Sequence, residues 1–393
     1  MKILITTEWY TPTVNGVITS IINLKEILTK MGHEVRVLTL SDKENVQVCD
    51  EQGLYTMSSY GIGKIYPGAR FAFTMDEEVL SHILQWSPDI IHTQCEFSTF
   101  RIARRISEIL NVPLVHTYHT VYEDYTHYFS PNKKWGKKAV GLFSKKVLNH
   151  AETVIAPTKK VEQLLKGYKV SQPIQVIPTG LDLVKFSQIV EQDEIKAFRR
   201  SLSIPDDCSV LVSVGRVAKE KNLEEIIYYL SRLQDPSLRL VIVGDGPYRS
   251  TLEEYVDKMG VRQYVHFVGM VEPSKIPVYY KLGDVFVSAS TSETQGLSYI
   301  EALASGTLAL CRKDDCLIGV IQDGENGFQY TNFEEFQTSL YTLLSEFKYN
   351  EAQKKAAQNK IEETYSIEAF GKQVEAVYLD AVRNYSHQHV FSI

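Results

Sequence analysis

The chain has 393 residues, 44% apolar and 23% charged, with a formal net charge of -6; these are the proportions of a folded globular protein, and the length calls for two domains rather than one core. No apolar run spans a bilayer, Met1 to Thr7 is far too short for a signal peptide, and five cysteines (Cys49, Cys95, Cys208, Cys311, Cys316) without CxxC spacing exclude a disulfide framework or zinc site and suit reduced thiols in the cytoplasm. Residues 1–180 carry 20 Lys and Arg against 17 Asp and Glu, a balance of +3, and the remainder stands at -9, so the N-terminal half is expected to meet something anionic.

The chain opens with a short apolar strand, Lys2 to Thr6. A turn holding Asn15-Gly16-Val17 follows, then helical periodicity from Ile18 (Ile21, Ile22, Leu24, Leu28) that stops at Gly32, and a second strand over Glu34 to Leu40. Strand, glycine turn, helix, strand is a βαβ unit, which predicts a parallel, doubly wound sheet. Asp89 to Thr93 reads as another strand, followed by a helix over about Thr99 to Leu110. Pro113 to Thr120 then forms a strand ending in His116-Thr117-Tyr118-His119, with His116 one residue inside the apolar run and His119 at its polar end.

Val121 to Leu148 mixes Tyr122, Tyr125, Tyr128, Phe129, Trp135 and Phe143 with Lys133, Lys134, Lys137, Lys138, Lys145 and Lys146. No acidic residue occurs between Asp124 and Glu152. Lysine pairs usually mark a solvated helix face. Basic residues with Trp135, Val140, Leu142, Phe143 and Val147 at helical spacing also describe a helix lying on anionic lipid. No nucleic-acid motif accompanies the patch, so nucleic acid is not expected as a partner.

Thr153 to Pro157 and Ile174 to Pro178 close the first series of strands, and the polar stretch from Asp182 to Asp193 reads as a linker. A second βα series begins with Val210 to Arg216, leading to Lys221; two cations past one strand end suit a diphosphate. Leu238 to Val243 ends in the glycine turn Gly244-Asp245-Gly246-Pro247, where a nucleotide fits. Asp284 to Ser288 is a buried parallel strand, followed by Glu293, the turn Thr294-Gln295-Gly296 and a helix marked by Leu297, Ile300, Leu303 and Ala304. The backbone N–H groups of Gln295, Gly296 and Leu297 are donors of a helix N-terminus, suited to phosphate. Glu293 sits on the loop and Glu301 about two turns further on. Thr307 to Cys311 and Ile318 to Ile321 read as short strands, and Phe333 to Tyr385 as helical.

Glu293, seven residues, Glu301 after a strand resembles the EX7E motif of retaining GT-B glycosyltransferases of the GT4 type. Asn15-Gly16, His119, Arg216, Lys221 and Gly244-x-Gly246-Pro247 resemble that family's motifs in the same order, and Thr179-Gly180-Leu181-Asp182 resembles its hinge turn with Thr for Asn. The resemblance covers nearly the whole chain. It implies two Rossmann-like α/β domains facing across a cleft: an acceptor domain over 1–182, to which a helix at about 366–385 crosses back, and a nucleotide-sugar domain over 183–365. It implies that Asn15, Gly16, Gly244, Gly246, Gln295, Gly296, Leu297 and Glu301 line the donor, with His119, Glu293, Arg216 and Lys221 at the reacting centre. No Asp-x-Asp motif lies near these residues, so no metal or other cofactor is expected, and Arg216, Lys221 and the helix N-terminus would meet the leaving diphosphate's charge.

Within the family, His116 to Tyr125 and Glu293 to Leu297 are similar to the bacterial α-glucosyl-diacylglycerol synthases. That likeness implies UDP-glucose as donor, diacylglycerol as acceptor, and a cytoplasmic enzyme peripheral on the inner face of the membrane, held to anionic lipid through Lys133, Lys134, Trp135, Lys137, Lys138 and Phe143. The alternatives are transfer to a soluble polysaccharide or protein, a phosphorylase or epimerase on the same fold, and a non-catalytic GT-B subunit. The last has no need of Arg216, Lys221 and both glutamates.

Overall fold

The computed structural model describes residues 1–10, 16–42, 45–61, 70–119, 133–188, 190–348 and 350–390. The chain forms two compact units, Met1–Leu181 together with Ile367–Ile393, and Asp182–Ser366. Both are α/β units built on parallel sheets.

The first unit runs β1 (Lys2–Thr6), α1 (Gly16–Lys30), β2 (Glu34–Ser41), β3 (Gln47–Val48), β4 (Leu54–Ser58), β5 (Tyr60–Gly61), β6 (Arg70–Phe71), α2 (Glu77–Trp86), β7 (Ile90–Thr93) and α3 (Ser98–Leu110). It continues with β8 (Leu114–Thr117), α4 (Lys133–Leu148), β9 (Thr153–Ala156), α5 (Lys159–Gly167) and β10 (Ile174–Val176). Its eight-stranded sheet has the order β10-β9-β8-β7-β1-β2-β4-β3. Every pairing is parallel except β3 with β4. Alternate residues of the central strands serve opposite faces. Leu4, Ile91, Leu114 and Val154 pack with residues of α2 and α3. Ile3, Ile5, Ile90, Val115 and Ile155 pack against α1 and the C-terminal helix.

The second unit contains α6 (Val184–Ser187), α7 (Gln192–Ser201), β11 (Ser209–Val214), α8 (Leu223–Leu233), β12 (Leu238–Val243), α9 (Arg249–Lys258), β13 (Val265–Gly269) and α10 (Ile276–Leu282). After these come β14 (Val285–Ser288), α11 (Leu297–Ala304), β15 (Ala309–Arg312), β16 (Gly327–Tyr330), α12 (Phe333–Thr342) and α13 (Glu351–Tyr365). Its six strands lie parallel in the order β13-β12-β11-β14-β15-β16. The final helix, α14 (Ile367–Val390), belongs to the first unit. The helical tail is segmented by caps, since Asn332 accepts from Glu335 N at 2.9 Å and Asn350 from Gln353 N at 3.1 Å.

Three elements differ from the sequence reading. The stretch expected as a linker is structured: Asp182 Oδ1 accepts from Val184 N (3.3 Å) at the start of α6, and Phe186 is buried with its ring 6.0 Å from that of Tyr280. An apolar residue that finds a pocket overrides a polar local composition. Ile318–Ile321 is a turn, not a strand, and the last sheet position goes to Gly327–Tyr330. Val320 and Ile321 are buried all the same, so the apolar signal reported burial without strand geometry. The strand expected over Pro113 to Thr120 ends at Thr117.

Phe370, Val374, Val377, Tyr378 and Ala381 seat α14 on the sheet face shared with α1. Phe370→Ala is expected to destabilise the first unit by about 3–5 kcal/mol through transfer and cavity terms, measured as a shift in its chemical-denaturation midpoint. A change under about 1 kcal/mol would mean that α14 contributes little to that core.

Candidate active site

In the second unit the functional side chains gather at the C-terminal ends of β11 and β14, the point where the strand order reverses direction. Ser213, Gly215, Arg216 and Lys221 from the β11 end meet Phe286, Ser288, Glu293 and Ser298 around one small cavity. Lys221 forms an ion pair with Glu293, and Arg216 one with Glu220 a turn away. Of the expected residues the cavity thus unites Arg216, Lys221 and Glu293, with Glu220 as an unforeseen partner.

The glycine turn after β12 is closely packed against the turn after β11. Gly244 has φ +124°, and a Cβ there would lie 2.0 Å from the Gly215 carbonyl oxygen; one on Gly246 would lie 2.3 Å from that of Val217. Val217 N donates to Asp245 O (2.9 Å) and Tyr248 N to Val217 O (3.2 Å). Gly244 and Gly246 let two strand-end turns press backbone to backbone, and neither lines the cavity.

Gly296 caps α11 in the left-handed region (φ +72°), with the Tyr299 ring where a Cβ would stand, 2.2 Å away. Tyr299 is buried and hydrogen-bonds Ser288 at 3.0 Å between oxygens. Gln295 is buried just before the cap, and Leu297 opens the helix. Since α11 starts at Leu297, Glu301 lies in its second turn, closer to the N-terminus than the spacing from Glu293 suggested. Its Oε2 accepts from the Tyr280 hydroxyl at 2.8 Å. Burial raises its pKa, opposed by that hydrogen bond and by Lys185. Tyr280 and Lys185 carried no motif, and only the fold brings them to Glu301.

In the first unit Gly16 opens α1, while Asn15 lies outside the described residues. His119 follows β8, and its Nε2 hydrogen-bonds Gln94 Oε1 at 2.6 Å. Burial, with His116 nearby, lowers its pKa to about 3. His116 is fully buried in β8, bonded to Thr93 (2.7 Å) and facing Glu96 (3.3 Å). His92 is likewise buried between Tyr378 (2.6 Å) and Thr117 (2.7 Å). These two are internal polar bridges, distinct from His119 beyond the strand end.

On α4, Gly136, Val140, Gly141, Ser144 and Leu148 face inward. The apolar set therefore divides: Val140 is core, whereas Trp135, Leu142 and Phe143 are exposed beside Lys137, Lys138 and Lys146. Phe143 stacks on Phe97 with ring centroids 5.6 Å apart. Lys133 and Lys134 occupy the first turn; their side chains lie outside what is described. Among the described residues no helix is long and apolar enough to cross a membrane.

Two parallel-sheet units, with cations and a carboxylate at one switch point in the second, agree with a GT-B glycosyltransferase. Residues 194–360 match the Glycosyl transferases group 1 profile and residues 14–185 that of Glycosyltransferase Family 4. The chain is 36% identical over 388 residues to an alpha-monoglucosyldiacylglycerol synthase of Streptococcus pneumoniae, covering 97% of this chain and 86% of that one. It is 31% identical over 397 residues to one from Acholeplasma laidlawii, covering 97% and 98%. Among solved structures, Anabaena HepE in complex with UDP has the same fold, with TM-score 0.74 at 17% identity over 97% of this chain and all of that one. The chain belongs to the GT4 glycosyltransferase family and is a hexosyltransferase.

Because Gln94 Oε1 can only accept, His119 carries its hydrogen on Nε2 and leaves Nδ1 as the acceptor. By NMR the His119 ring is expected to stay neutral from pH 8 to pH 5, and a midpoint near 6.5 would contradict the half-buried, Gln94-bound geometry. The stability tied to this neutral ring is fully present above about pH 6.5 and is lost as pH falls toward 3.

Proposed function

We propose that this protein transfers glucose from UDP-glucose to diacylglycerol at the inner face of the cell membrane, retaining the anomeric configuration. The product, alpha-monoglucosyldiacylglycerol, would serve as glycolipid and lipoteichoic acid anchor. The observation that carries the reading is nearly full-length similarity to two alpha-monoglucosyldiacylglycerol synthases, and the cavity between β11 and β14 supplies the chemistry. Arg216 and Lys221 hold the donor diphosphate and stabilise it as it leaves. The diphosphate replaces Glu293 at Lys221, which frees the carboxylate to face the sugar. Glu301, further down α11, accepts from the ribose hydroxyls, while Gln295, Gly296 and Leu297 turn the helix N-terminus toward phosphate. Asn15 and Gly16 also take part in binding the donor, and Gly244 and Gly246 act by holding together the turns after β11 and β12. His119 presents a neutral ring at the reacting centre. No metal or other cofactor takes part.

The direct test incubates the protein with UDP-glucose and vesicles containing dioleoylglycerol, with and without EDTA. An α-glucosyl lipid product formed equally in both is expected; transfer only to soluble acceptors, or strict dependence on Mg²⁺, would refute the reading. Lys221→Ala is expected to lower kcat about 100-fold, the effect of removing one preorganised donor, while the fold is retained. Glu301→Gln should weaken UDP binding, whereas Glu293→Gln and His119→Ala should spare UDP and impair transfer. Calorimetric titration with UDP decides this, and equal losses of affinity would remove the division of roles.

Membrane attachment rests on α4. Lys133, Lys134, Lys137, Lys138, Lys145 and Lys146 bring six charges, each worth about 1 kcal/mol near an anionic surface. About half can face the lipid at once, which gives reversible binding. Trp135, Leu142 and Phe143 insert at headgroup depth. Co-sedimentation is expected to need anionic lipid, to weaken with salt, and to fall at least tenfold when Lys133, Lys134, Lys137 and Lys138 become Ser. Equal sedimentation of both proteins would make α4 a solvated face.

A further inference from the structure

The first unit has its own switch point. The chain leaves β1 for β2 on one side and later returns to β7 on the other, so the crevice at the C-terminal ends of β1 and β7 is where open α/β sheets bind ligands. Thr6 pairs with Thr93, and Gln94 N donates to Thr6 O at 2.9 Å, which brings Glu8 and Gln94 to neighbouring strand ends about 4.8 Å apart in the sheet. Both side chains are more than nine-tenths buried, at 3% and 2% exposure.

Each is gripped by one of its polar atoms and offers the other. Glu8 Oε1 accepts from Thr99 N at 2.8 Å and Thr99 Oγ1 at 3.0 Å, and Gln94 Oε1 bonds His119. Glu8 Oε2, Gln94 Nε2 and Thr6 Oγ1 have no hydrogen-bond partner among the described residues. The Cys95 thiol interacts with the Glu8 carboxyl as a weak donor, and Oε2 has no partner in hydrogen-bond geometry among the described residues. Buried polar atoms are normally satisfied, so an acceptor and an amide donor left over at one switch point call for a ligand.

We propose that Glu8 and Gln94 form the hydroxyl-recognition site for the acceptor, and that it selects an uncharged alcohol over a phosphate-bearing one. A hydroxyl group both donates and accepts, so it meets the carboxyl and the amide together. Selectivity follows from charge. Glu8 and Glu96 are both buried here, and among the described residues no ion pair reaches Glu8; the burial that raises the Glu8 pKa disfavours any further negative charge beside it. A phosphate would face carboxyls without a compensating charge. The contact between Gln94 and His119 connects this site to the reacting centre.

The inference rests on the diacylglycerol reading above. The test compares wild type with Glu8→Gln, which keeps the side chain's shape and its Thr99 contacts. In vesicles of constant phosphatidylglycerol content, kcat/KM is measured for dioleoylglycerol and for 1-oleoyl-glycerol 3-phosphate, with UDP affinity by calorimetry. Wild type should prefer the neutral acceptor at least 100-fold. Glu8→Gln should lose at least tenfold in kcat/KM for dioleoylglycerol, mostly through KM, and narrow the preference at least tenfold with UDP affinity unchanged. Should Glu8→Gln not fold, Glu8→Asp withdraws the carboxyl by one methylene and should lower kcat/KM while keeping the preference. Wild type inactive on dioleoylglycerol overturns the reading and this inference together. An active wild type with kcat/KM and preference unchanged in the variant overturns this inference alone. So does a variant that only melts lower, because Glu8 would then merely hold a buried water.

Discussion

A parallel strand covered on both faces carries almost no polar side chain along its length, and that constraint organises this molecule. In β1, β11, β12 and β14 the central residues are aliphatic or aromatic and close to fully buried. Polarity is deferred to the strand ends, where the backbone turns out of the sheet. Thr7 and Glu8 follow β1, Gln94 and Glu96 follow β7, His119 follows β8, and Arg216 follows β11. Each candidate group thus stands just past a rigid strand end. The exceptions prove costly enough to need full partnership: His92 and His116, inside strands, each engage both ring nitrogens.

The same constraint explains why glycine recurs at the strand ends of the second unit. Turns leaving adjacent parallel strands, about 4.8 Å apart, have little room between them. Gly244 and Gly246 meet the Gly215 and Val217 backbones so closely that any side chain would displace a main-chain carbonyl. That a glycine packs against its neighbour across the sheet is not visible in the sequence. Gly296 is a third case, since its left-handed cap lets the Tyr299 ring pass beneath the turn that aims Glu293.

What the sequence made legible was therefore local and periodic. Apolar runs located β1, β2, β12 and β14 within a residue or two, and the rhythm Leu297, Ile300, Leu303 located α11. Ordered motifs found Arg216, Lys221 and Glu293, which share a cavity because each follows a strand at one switch point. Illegible were the features that depend on distant neighbours. Val320 and Ile321 were buried without being a strand, and Phe186 anchored a stretch whose composition said linker. The Tyr280 hydroxyl on Glu301 and the Gln94 amide on His119 join residues 21 and 25 positions apart. A carboxylate directly after an apolar strand, as at Glu8, was a signal present in the sequence, but its burial became visible only with α3 in place.

Burial also sets how these groups respond to pH, and the two classes act in opposite senses. His92 and His119 have lowered pKa values through burial, so their contribution to stability is present above about 6.5 and is lost as pH falls. Glu8 and Glu301 have raised values for the same reason, so theirs is present below about 4.5 and is lost as pH rises through the raised values. Glu293 is different in kind, half of an ion pair with Lys221 near the surface of the cavity. A charge-compensated carboxylate can exchange partners. A carboxyl held by hydroxyl donors, like Glu301 with Tyr280, stays where the fold puts it. Glu293 is thus an ion-paired charge on the loop before α11, and Glu301 a buried hydrogen-bonding group within the helix.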